Sequence, residues 1–293
     1  MSEFINTVDI LGDDVVVSSL VGRTITELKD NLLLNVGQSA FQNCSNLTSA
    51  DLPNATNIDQ SAFQNCTKLT SVNLPNATSI GSNVFQNCRN LTSADLPNAT
   101  NIGNKTFYDC KALTSVDLPK ATSVKDYAFD GCSSLKSVNL PNATSISSSV
   151  FAGCSNLTSV NLPNVTSIGS NVFQNCSNLT SADLPNATSI GSGAFYGCSS
   201  LTSVTIPDSV TRIDQYTFYN CTKLTRVILR NTTICTLENT NAFTNTPFAA
   251  GKSGGTVYVP QALIESYQQA TNWSTLYAQG TCNFVAIEGS EYE

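Results

Sequence analysis

The sequence predicts a repeat solenoid of the α/β class, built mainly from parallel β-strands and turns with short outer helical turns. The first observation is a phenylalanine that returns every 22 residues from Phe41 to Phe195. A fixed period of roughly 20–50 residues indicates a solenoid, because one coil cannot bury its apolar face without its neighbours. The second observation is a strand-like alternation inside each period. The third is that both ends of the chain depart from the repeat.

The phenylalanines form an extended series in which nearly every member is followed by a cysteine three residues later. The spacing becomes 23 residues at Phe218 and 25 residues at Phe243. The accompanying cysteines are Cys44, Cys66, Cys88, Cys110, Cys132, Cys154, Cys176, Cys198 and Cys221. A free cysteine inside a core behaves as a small apolar side chain. We therefore expect stacked coils to carry a buried phenylalanine ladder and a buried cysteine ladder.

One repeat, residues 63–84, contains a strand segment of the pattern Leu-x-x-Val-x-Leu. Val72 and Leu74 alternate with the polar residues Ser71 and Asn73, which is the pattern of a half-buried strand. This pattern matches the strand segment of a leucine-rich repeat. It predicts a right-handed leucine-rich-repeat superhelix with one parallel strand in each coil.

The remainder of the coil is predicted to turn. Pro75 ends the strand, since proline cannot donate to the next ladder. Gly81 suits a turn, as do the glycines at the equivalent positions. Residues 82–87 have apolar side chains at helical spacing, so we expect one short helical or 3₁₀ turn on the outer side.

The ends of the chain divide it into three parts. Residues 1–35 are predicted to be an N-terminal cap, residues 36–248 a solenoid of 22-residue coils, and residues 249–293 a C-terminal cap. In the C-terminal cap, Thr256–Val259 is predicted to be a strand and Gln261–Ala270 a helix. Capping ends are expected because a solenoid would otherwise expose the apolar faces of its terminal coils.

Composition excludes several classes of function. The 293 residues carry a net charge of −7, so the chain lacks the basic surface that nucleic-acid binding requires. No apolar run is long enough for a transmembrane helix, which predicts no membrane insertion. The first residues do not resemble a signal peptide. The sequence alone therefore leaves the localisation open among retention in the cell, export by another route and a leader not included in this sequence.

Catalytic and metal-binding patterns are weak. The chain has no histidine, which removes histidine-based triads and histidine metal ligands. Four aspartates recur at one repeat position, but whole coils separate them: Asp51, Asp95, Asp117 and Asp183. They favour a solvated face over a calcium site or a paired-carboxylate glycoside-acting enzyme. We expect no enzyme, cofactor or metal.

The eleven cysteines are predicted to be packing residues. Their regular 22-residue spacing differs from that of zinc ligands, and the chain contains no Cys-x-x-Cys. Cys235 and Cys282 lie outside the ladder, so a disulfide between these two is the alternative.

Two surfaces are candidates for binding. The first is a polar stripe on the concave strand face, suited to an extended protein or a glycan. Its residues are Asp51, Asn73, Asp95, Asp117, Asn139, Asn161 and Asp183. The second surface lies on the outer turns, where Tyr196 and Tyr219 occupy equivalent positions in neighbouring coils and are expected to stack. Exposed tyrosines are common contact residues at interfaces.

The repeat resembles the BspA-like, or Treponema-type, leucine-rich repeats. The resemblance is carried by the segment Phe195-Tyr-Gly-Cys-Ser-Ser-Leu-Thr-Ser-Val-Thr-Ile-Pro207, followed by Ile213 and Phe218. It covers roughly residues 36–248, and the tail around Val257–Pro260 is also similar to the family's terminus. The resemblance implies a bacterial surface protein that adheres to host proteins or other bacteria, with an extracellular or cell-surface location. Residues 4–13 are similar to leucine-rich proteins encoded near phage tail genes, which would imply a virion.

These observations predict a non-enzymatic protein that binds protein or glycan, in a surface adhesin-like or receptor-binding role. The expected partner is a protein or glycan on another cell surface. The alternatives are a phage or prophage tail-associated protein and an intracellular structural scaffold, with a glycoside-acting enzyme as a more distant third. The sequence does not define the oligomeric state.

Overall fold

A computed structural model of the protein describes residues 25–252 and 254–292. The chain is a parallel-strand solenoid with little helix, which confirms the predicted solenoid fold. The predicted right-handedness of the superhelix stays a prediction. Two compact units meet in sequence between Ala143 and Thr144. Most of the predicted N-terminal cap lies outside the described residues, as does the phage-like segment 4–13.

The first unit contains two ladders of parallel strands with a 22-residue offset between partners, as in Ser71 opposite Ser49. The strands of one ladder are Glu27–Lys29, Ser49–Asp51, Ser71–Asn73, Ser93–Asp95, Ser115–Asp117 and Ser137–Asn139. The strands of the other are Asn35–Val36, Asn57–Ile58, Ser79–Ile80, Asn101–Ile102 and Ser123–Val124. Strand pairing therefore begins inside the segment predicted as the N-terminal cap. The predicted boundaries at residues 35 and 248 stay a prediction.

The second unit repeats this arrangement and then lengthens its strands. The longer strands are Ser159–Asn161, Ser181–Asp183, Ser203–Ile206, Arg226–Leu229, Gly255–Val259 and Cys282–Ala286. The two-residue strands are Ser145–Ile146, Ser167–Ile168, Ser189–Ile190, Arg212–Ile213 and Thr236–Leu237. The four strands from Ser203 to Ala286 form one parallel sheet in sequence order.

The core of each unit follows the predicted ladders. Val72 is buried at the centre of its strand while Ser71 and Asn73 are exposed, as strand alternation requires. The phenylalanine rings stack on one another with centroids 5.1–5.6 Å apart in the first unit and 5.3–5.7 Å apart in the second. The ten phenylalanines of the ladder are buried and make up ten of the twelve largest fully buried side chains among the described residues.

The cysteine ladder is buried beside the phenylalanine ladder and also makes polar contacts. The Cys88 thiol donates to the Phe63 carbonyl at 3.2 Å, and the Cys110 thiol donates to the Phe85 carbonyl at 3.1 Å. Burial raises the pKa of the Cys110 thiol well above its ordinary value, so this group is not a reactive thiolate. None of the eleven cysteines forms a disulfide, Cys235 and Cys282 included, so the alternative of a disulfide between those two is not realised.

The outer turns differ from the predicted short helical turn. Each repeat uses separate hydrogen-bonded turns, such as the Gln86 amide donating to the Asn83 carbonyl at 3.2 Å. Asn83 and Asn87 have left-handed backbones, with φ of 58° and 61°. A left-handed residue interrupts a right-handed helical run, so no helix propagates there. In the last repeat the turn tightens into a 3₁₀ helix, Thr240–Phe243.

The recurring glycines serve close packing between coils as well as turning. Neither Gly81 nor Gly103 has a left-handed backbone, so conformational freedom does not explain them. A Cβ atom on Gly103 would lie 2.5 Å from the carbonyl carbon of Gly81 in the preceding coil. Glycine therefore permits the backbones of these two coils to approach each other, which the turn interpretation missed.

The C-terminal segment packs against the end of the phenylalanine ladder. The predicted strand is confirmed as Gly255–Val259, and the predicted helix forms as a 3₁₀ turn, Gln261–Leu263, followed by an α-helix, Ile264–Gln269. A second α-helix, Trp273–Ala278, was not predicted. Trp273 is fully buried with its ring 5.8 Å from that of Phe243, and its indole nitrogen donates to the Cys235 carbonyl at 2.8 Å.

Candidate binding surfaces

The predicted polar stripe exists as aligned side chains on the outward face of the strands. We call it the strand-face row, and each member occupies the last position of a three-residue strand. Its members in the first unit are Asp51, Asn73, Asp95, Asp117 and Asn139, and in the second unit Asn161 and Asp183. All but Asp51, which is half-buried, are exposed. Because they point away from the core, their chemistry is free to vary without loss of packing.

Within the first unit the row alternates between paired and unpaired carboxylates. The Asn73 amide donates to the Asp51 carboxylate at 2.8 Å, and the Asn139 amide donates to Asp117 at 2.8 Å. Lys29 lies 3.6 Å from Asp51. Asp95 stands opposite Asp117 in register, so two carboxylates are adjacent. No described side chain forms a hydrogen bond or ion pair with Asp95, which leaves this carboxylate available to an outside group.

The threonine and asparagine side chains in rows near the strands form hydrogen bonds to the backbone of the preceding coil. The Thr92 hydroxyl donates to the Thr70 carbonyl at 3.0 Å, one coil back. The Asn76 amide donates to the Pro53 carbonyl at 2.8 Å, and Asn98 repeats this bond to Pro75 at 2.6 Å. These side chains satisfy backbone carbonyls of the preceding coil. They are therefore poorer binding candidates than the strand-face row.

In the second unit the row meets a groove that the sequence did not reveal. Asn161 and Asp183 are adjacent in register, and Asp183 lines a groove of about 380 Å³. Asp208 and Arg230 line the same groove. The available signal was that Asp208 follows Pro207 where the preceding repeats have asparagine or lysine after proline.

The predicted tyrosine surface lies on the outer turns of the second unit. Tyr196 and Tyr219 stack with centroids 4.8 Å apart and planes inclined by 8°, which confirms the predicted stacking. Tyr216 adds an edge-on contact to Tyr219 at 5.9 Å and is 41% exposed. The sequence did not indicate Tyr216, because it occupies a different position of the repeat from Tyr196 and Tyr219. The three rings form an aromatic patch in which Tyr216 is exposed and Tyr196 and Tyr219 are half-buried.

A charged cluster occupies the outer turns of the first unit and was also missed. The Lys105 ammonium lies 5.8 Å from the Tyr108 ring and 5.5 Å from the Tyr127 ring. Such cation–π contacts contribute roughly 0.5–1 kcal/mol at exposed sites. Asp109 forms ion pairs with Arg89 at 3.5 Å and Lys111 at 3.7 Å. Since these charges satisfy one another, the cluster is better suited to stabilising the turns than to binding.

Asp130 makes this cluster sensitive to pH. Burial and then the Asp109 carboxylate raise the pKa of Asp130 to about 6, while Lys105 lowers it. The pKa of an aspartate in an unfolded chain is about 3.9. Asp130 therefore contributes stability that is complete below about pH 4 and lost as the pH rises through about 6.

Replacing Asp130 by asparagine is expected to raise the unfolding temperature at pH 7.5, because the amide is neutral and avoids the cost of burying a charge beside Asp109. After allowance for solvent screening of a half-buried group, the gain is up to about 1 kcal/mol. At pH 3.5 the variant and the wild type should unfold alike in a thermal circular-dichroism scan. An equal difference at both pH values would contradict the titration of Asp130 as the cause.

Neither a metal site nor a membrane span is recognisable in the part of the chain that the structure describes. Within residues 25–252 and 254–292, no three or more histidine, cysteine, aspartate or glutamate side chains are grouped to hold a metal ion. None of the helices over these residues has the length and apolarity needed to cross a bilayer.

Parallel coils, a buried aromatic ladder and an aligned polar face define a solenoid binding scaffold. The chain belongs to the BspA type leucine-rich repeat family, whose pattern matches residues 34–157, 100–225 and 144–252. Leucine-rich repeat proteins generally mediate protein–protein interaction or surface binding, and theirs is not an enzyme fold family. No curated protein is recognisably similar to the chain in sequence.

Several solved structures are similar to this chain. A leucine-rich repeat protein of T. pallidum is 26% identical over 61% of this chain and 82% of its own, with a TM-score of 0.47. A leucine-rich cell surface protein of Faecalibacterium prausnitzii is 25% identical over 76% of this chain and 71% of its own, with a TM-score of 0.46. A leucine-rich repeat protein of Bacteroides ovatus is 22% identical over 87% of this chain and 88% of its own, with a TM-score of 0.38.

Proposed function

We propose that this chain is a non-enzymatic binding protein that holds an extended protein segment along the strand-face row. The observation that carries the proposal is the in-register alignment of exposed polar side chains on parallel strands, as in Asp95 opposite Asp117. Such a face is rigid before binding, so a partner can contact several coils at small cost in ordering.

The charge of the row favours a basic partner. Asp95 and Asp117 place two carboxylates side by side, and the whole chain carries a net charge of −7. An acidic face attracts basic partners and repels acidic ones, which supports fast association and specificity more than raw affinity. We therefore place a protein segment with exposed lysine or arginine on this face.

The biological setting that we propose is adhesion, with the partner on another cell surface. Membership of the BspA type family supports this setting. A glycan on such a surface is the alternative partner. A phage tail-associated role or an intracellular scaffold would use the same row, and a glycoside-acting enzyme would need a pair of carboxylates facing each other across a substrate cleft.

Reversing two charges tests the proposal. The variant Asp95→Lys/Asp117→Lys is expected to unfold within about 0.5 kcal/mol of the wild type, since both side chains are exposed. Its binding should fall by about ten-fold or more, because each substitution replaces attraction by repulsion. The measurement is binding of immobilised chain to a panel of host matrix proteins, bacterial cell walls and glycans.

The control is the variant Tyr196→Ser/Tyr219→Ser, which alters the outer turns and leaves the strand-face row intact. It should bind as the wild type does. Normal binding by the lysine variant together with loss in the serine variant would assign binding to the tyrosine patch instead. Failure of the wild type to bind any protein in the panel would count against an adhesive role.

A further inference from the structure

The groove at the end of the strand-face row has the features of a specific subsite. It encloses about 380 Å³, near the lower end of the range for small-molecule sites. The polar side chains that line it are Ser181, Asp183, Ser203, Thr205, Asp208 and Arg230. Pro185, which is exposed, and Ala182, which is half-buried, supply apolar surface. The groove therefore has room for one long side chain and offers that side chain both apolar and polar contacts.

The charges in the groove are not balanced. Asp183 and Asp208 are both exposed, and neither forms an ion pair with a described residue. Arg230 is the basic residue of the lining, and its guanidinium donates to the Tyr292 carbonyl. Because that contact directs Arg230 toward the C-terminal segment, the two carboxylates remain without a neutralising partner.

The C-terminal segment closes the strand face beside the groove. Ile228 stands next to Thr205 in register and points outward, yet it is only 2% exposed. Tyr258 stands next to Ile228, and the Tyr292 ring packs edge-on against Tyr258 at 4.6 Å. A polar segment lying along the row would therefore meet an apolar wall after Thr205. The groove lies immediately before this apolar wall.

We propose that the groove receives a lysine or arginine side chain of an extended protein segment, with its charge between Asp183 and Asp208. This inference rests on the proposed function and adds the residue type recognised and the position of recognition. Lysine and arginine place a long apolar stem against Ala182 and Pro185 while the charged head reaches the carboxylates. A neutral or acidic side chain would leave both carboxylates unpaired.

The test uses a fluorescein-labelled nine-residue peptide of alternating serine and lysine, titrated with the full chain and followed by fluorescence anisotropy. The variant Asp183→Asn/Asp208→Asn keeps the shape of both side chains and removes both charges. Its affinity for the peptide is expected to fall by about five-fold or more, as for two partly exposed charge pairs. A peptide with glutamate in place of lysine should bind neither protein.

The matched control is Asp126→Asn/Glu265→Gln, which removes two exposed charges from an outer turn and from the helix Ile264–Gln269 and should change the affinity by less than about two-fold. Equal losses in the two variants would show attraction by net charge alone and would overturn the groove assignment. Preference for the glutamate peptide, lost in Arg230→Gln, would overturn it in favour of an acidic ligand, and absence of wild-type binding would also overturn it.

The groove inference and the proposed binding function can be contradicted independently of each other. If the charge-reversed row variant loses its protein partner while Asp183→Asn/Asp208→Asn keeps it, the groove inference is wrong and the row remains the binding face. If the groove variant binds the lysine peptide more weakly than the wild type does, while no protein in the panel binds the wild type, the groove inference is supported and the adhesive function is contradicted.

Discussion

Replacing Phe107 by alanine is expected to lower the free energy of unfolding by about 3–5 kcal/mol, as for a large aromatic side chain in a packed core. Phe107 is fully buried, and its ring lies 5.3 Å from that of Phe85 and 5.1 Å from that of Phe129. The truncation leaves a cavity and exposes two ring faces that lose their partner. Urea unfolding followed by circular dichroism measures the loss.

Leu32 provides the control for this prediction. It is a large apolar side chain of the same unit, but it is 79% exposed. Leu32→Ala is therefore expected to unfold within about 0.5 kcal/mol of the wild type. An unfolding curve for Phe107→Ala that overlays the wild-type curve would show that stacked phenylalanines do not stabilise the coils.

Deletion of residues 71–92 is expected to give a folded protein, whereas deletion of residues 71–81 is expected to abolish cooperative folding. The longer deletion joins Thr70 to Ser93, which occupies the position of Ser71 one repeat later. Every ladder then continues in register, and the chain loses one coil and its interfaces. The shorter deletion places Ser82 after Thr70, which moves polar residues into core positions.

Thermal unfolding distinguishes the two deletions. The 22-residue deletion should keep a single steep transition at a moderately lower temperature, and the 11-residue deletion should show no steep transition. Equal damage by both deletions would mean that the coils are not interchangeable units. Equal tolerance would mean that the ladders do not require register.

The period, the ladders and the strands were predictable from sequence because each depends on a side chain repeated at one position. Phe107 and Cys110 recur with the coil, and a buried ladder needs no information beyond that recurrence. The outer turns were less predictable, since apolar spacing alone does not reveal left-handed residues such as Asn83. The helix at Trp273–Ala278 lies outside the repeat and had no such support.

The candidate site was predictable in part for the same reason. Asp95 and Asp117 could be placed on the outward face by alternation, and the stacking of Tyr196 on Tyr219 followed from equivalent positions. The groove could not be predicted, because Asp183 and Arg230 meet through coils whose spacing departs from 22 residues. Burial of Ile228 on an outward position likewise depends on the chain beyond the repeat.

Carboxyl footprinting of the chain with and without a bound protein partner tests the central claim most directly. A carbodiimide with an amine label modifies exposed aspartates, and mass spectrometry reads the extent at each position. We expect the partner to protect Asp95 and Asp117 on the strand face of the first unit while Asp126, exposed on the outer turns, reacts unchanged. Protection of Asp126 with unchanged labelling of Asp95 and Asp117 would contradict binding along the strand-face row.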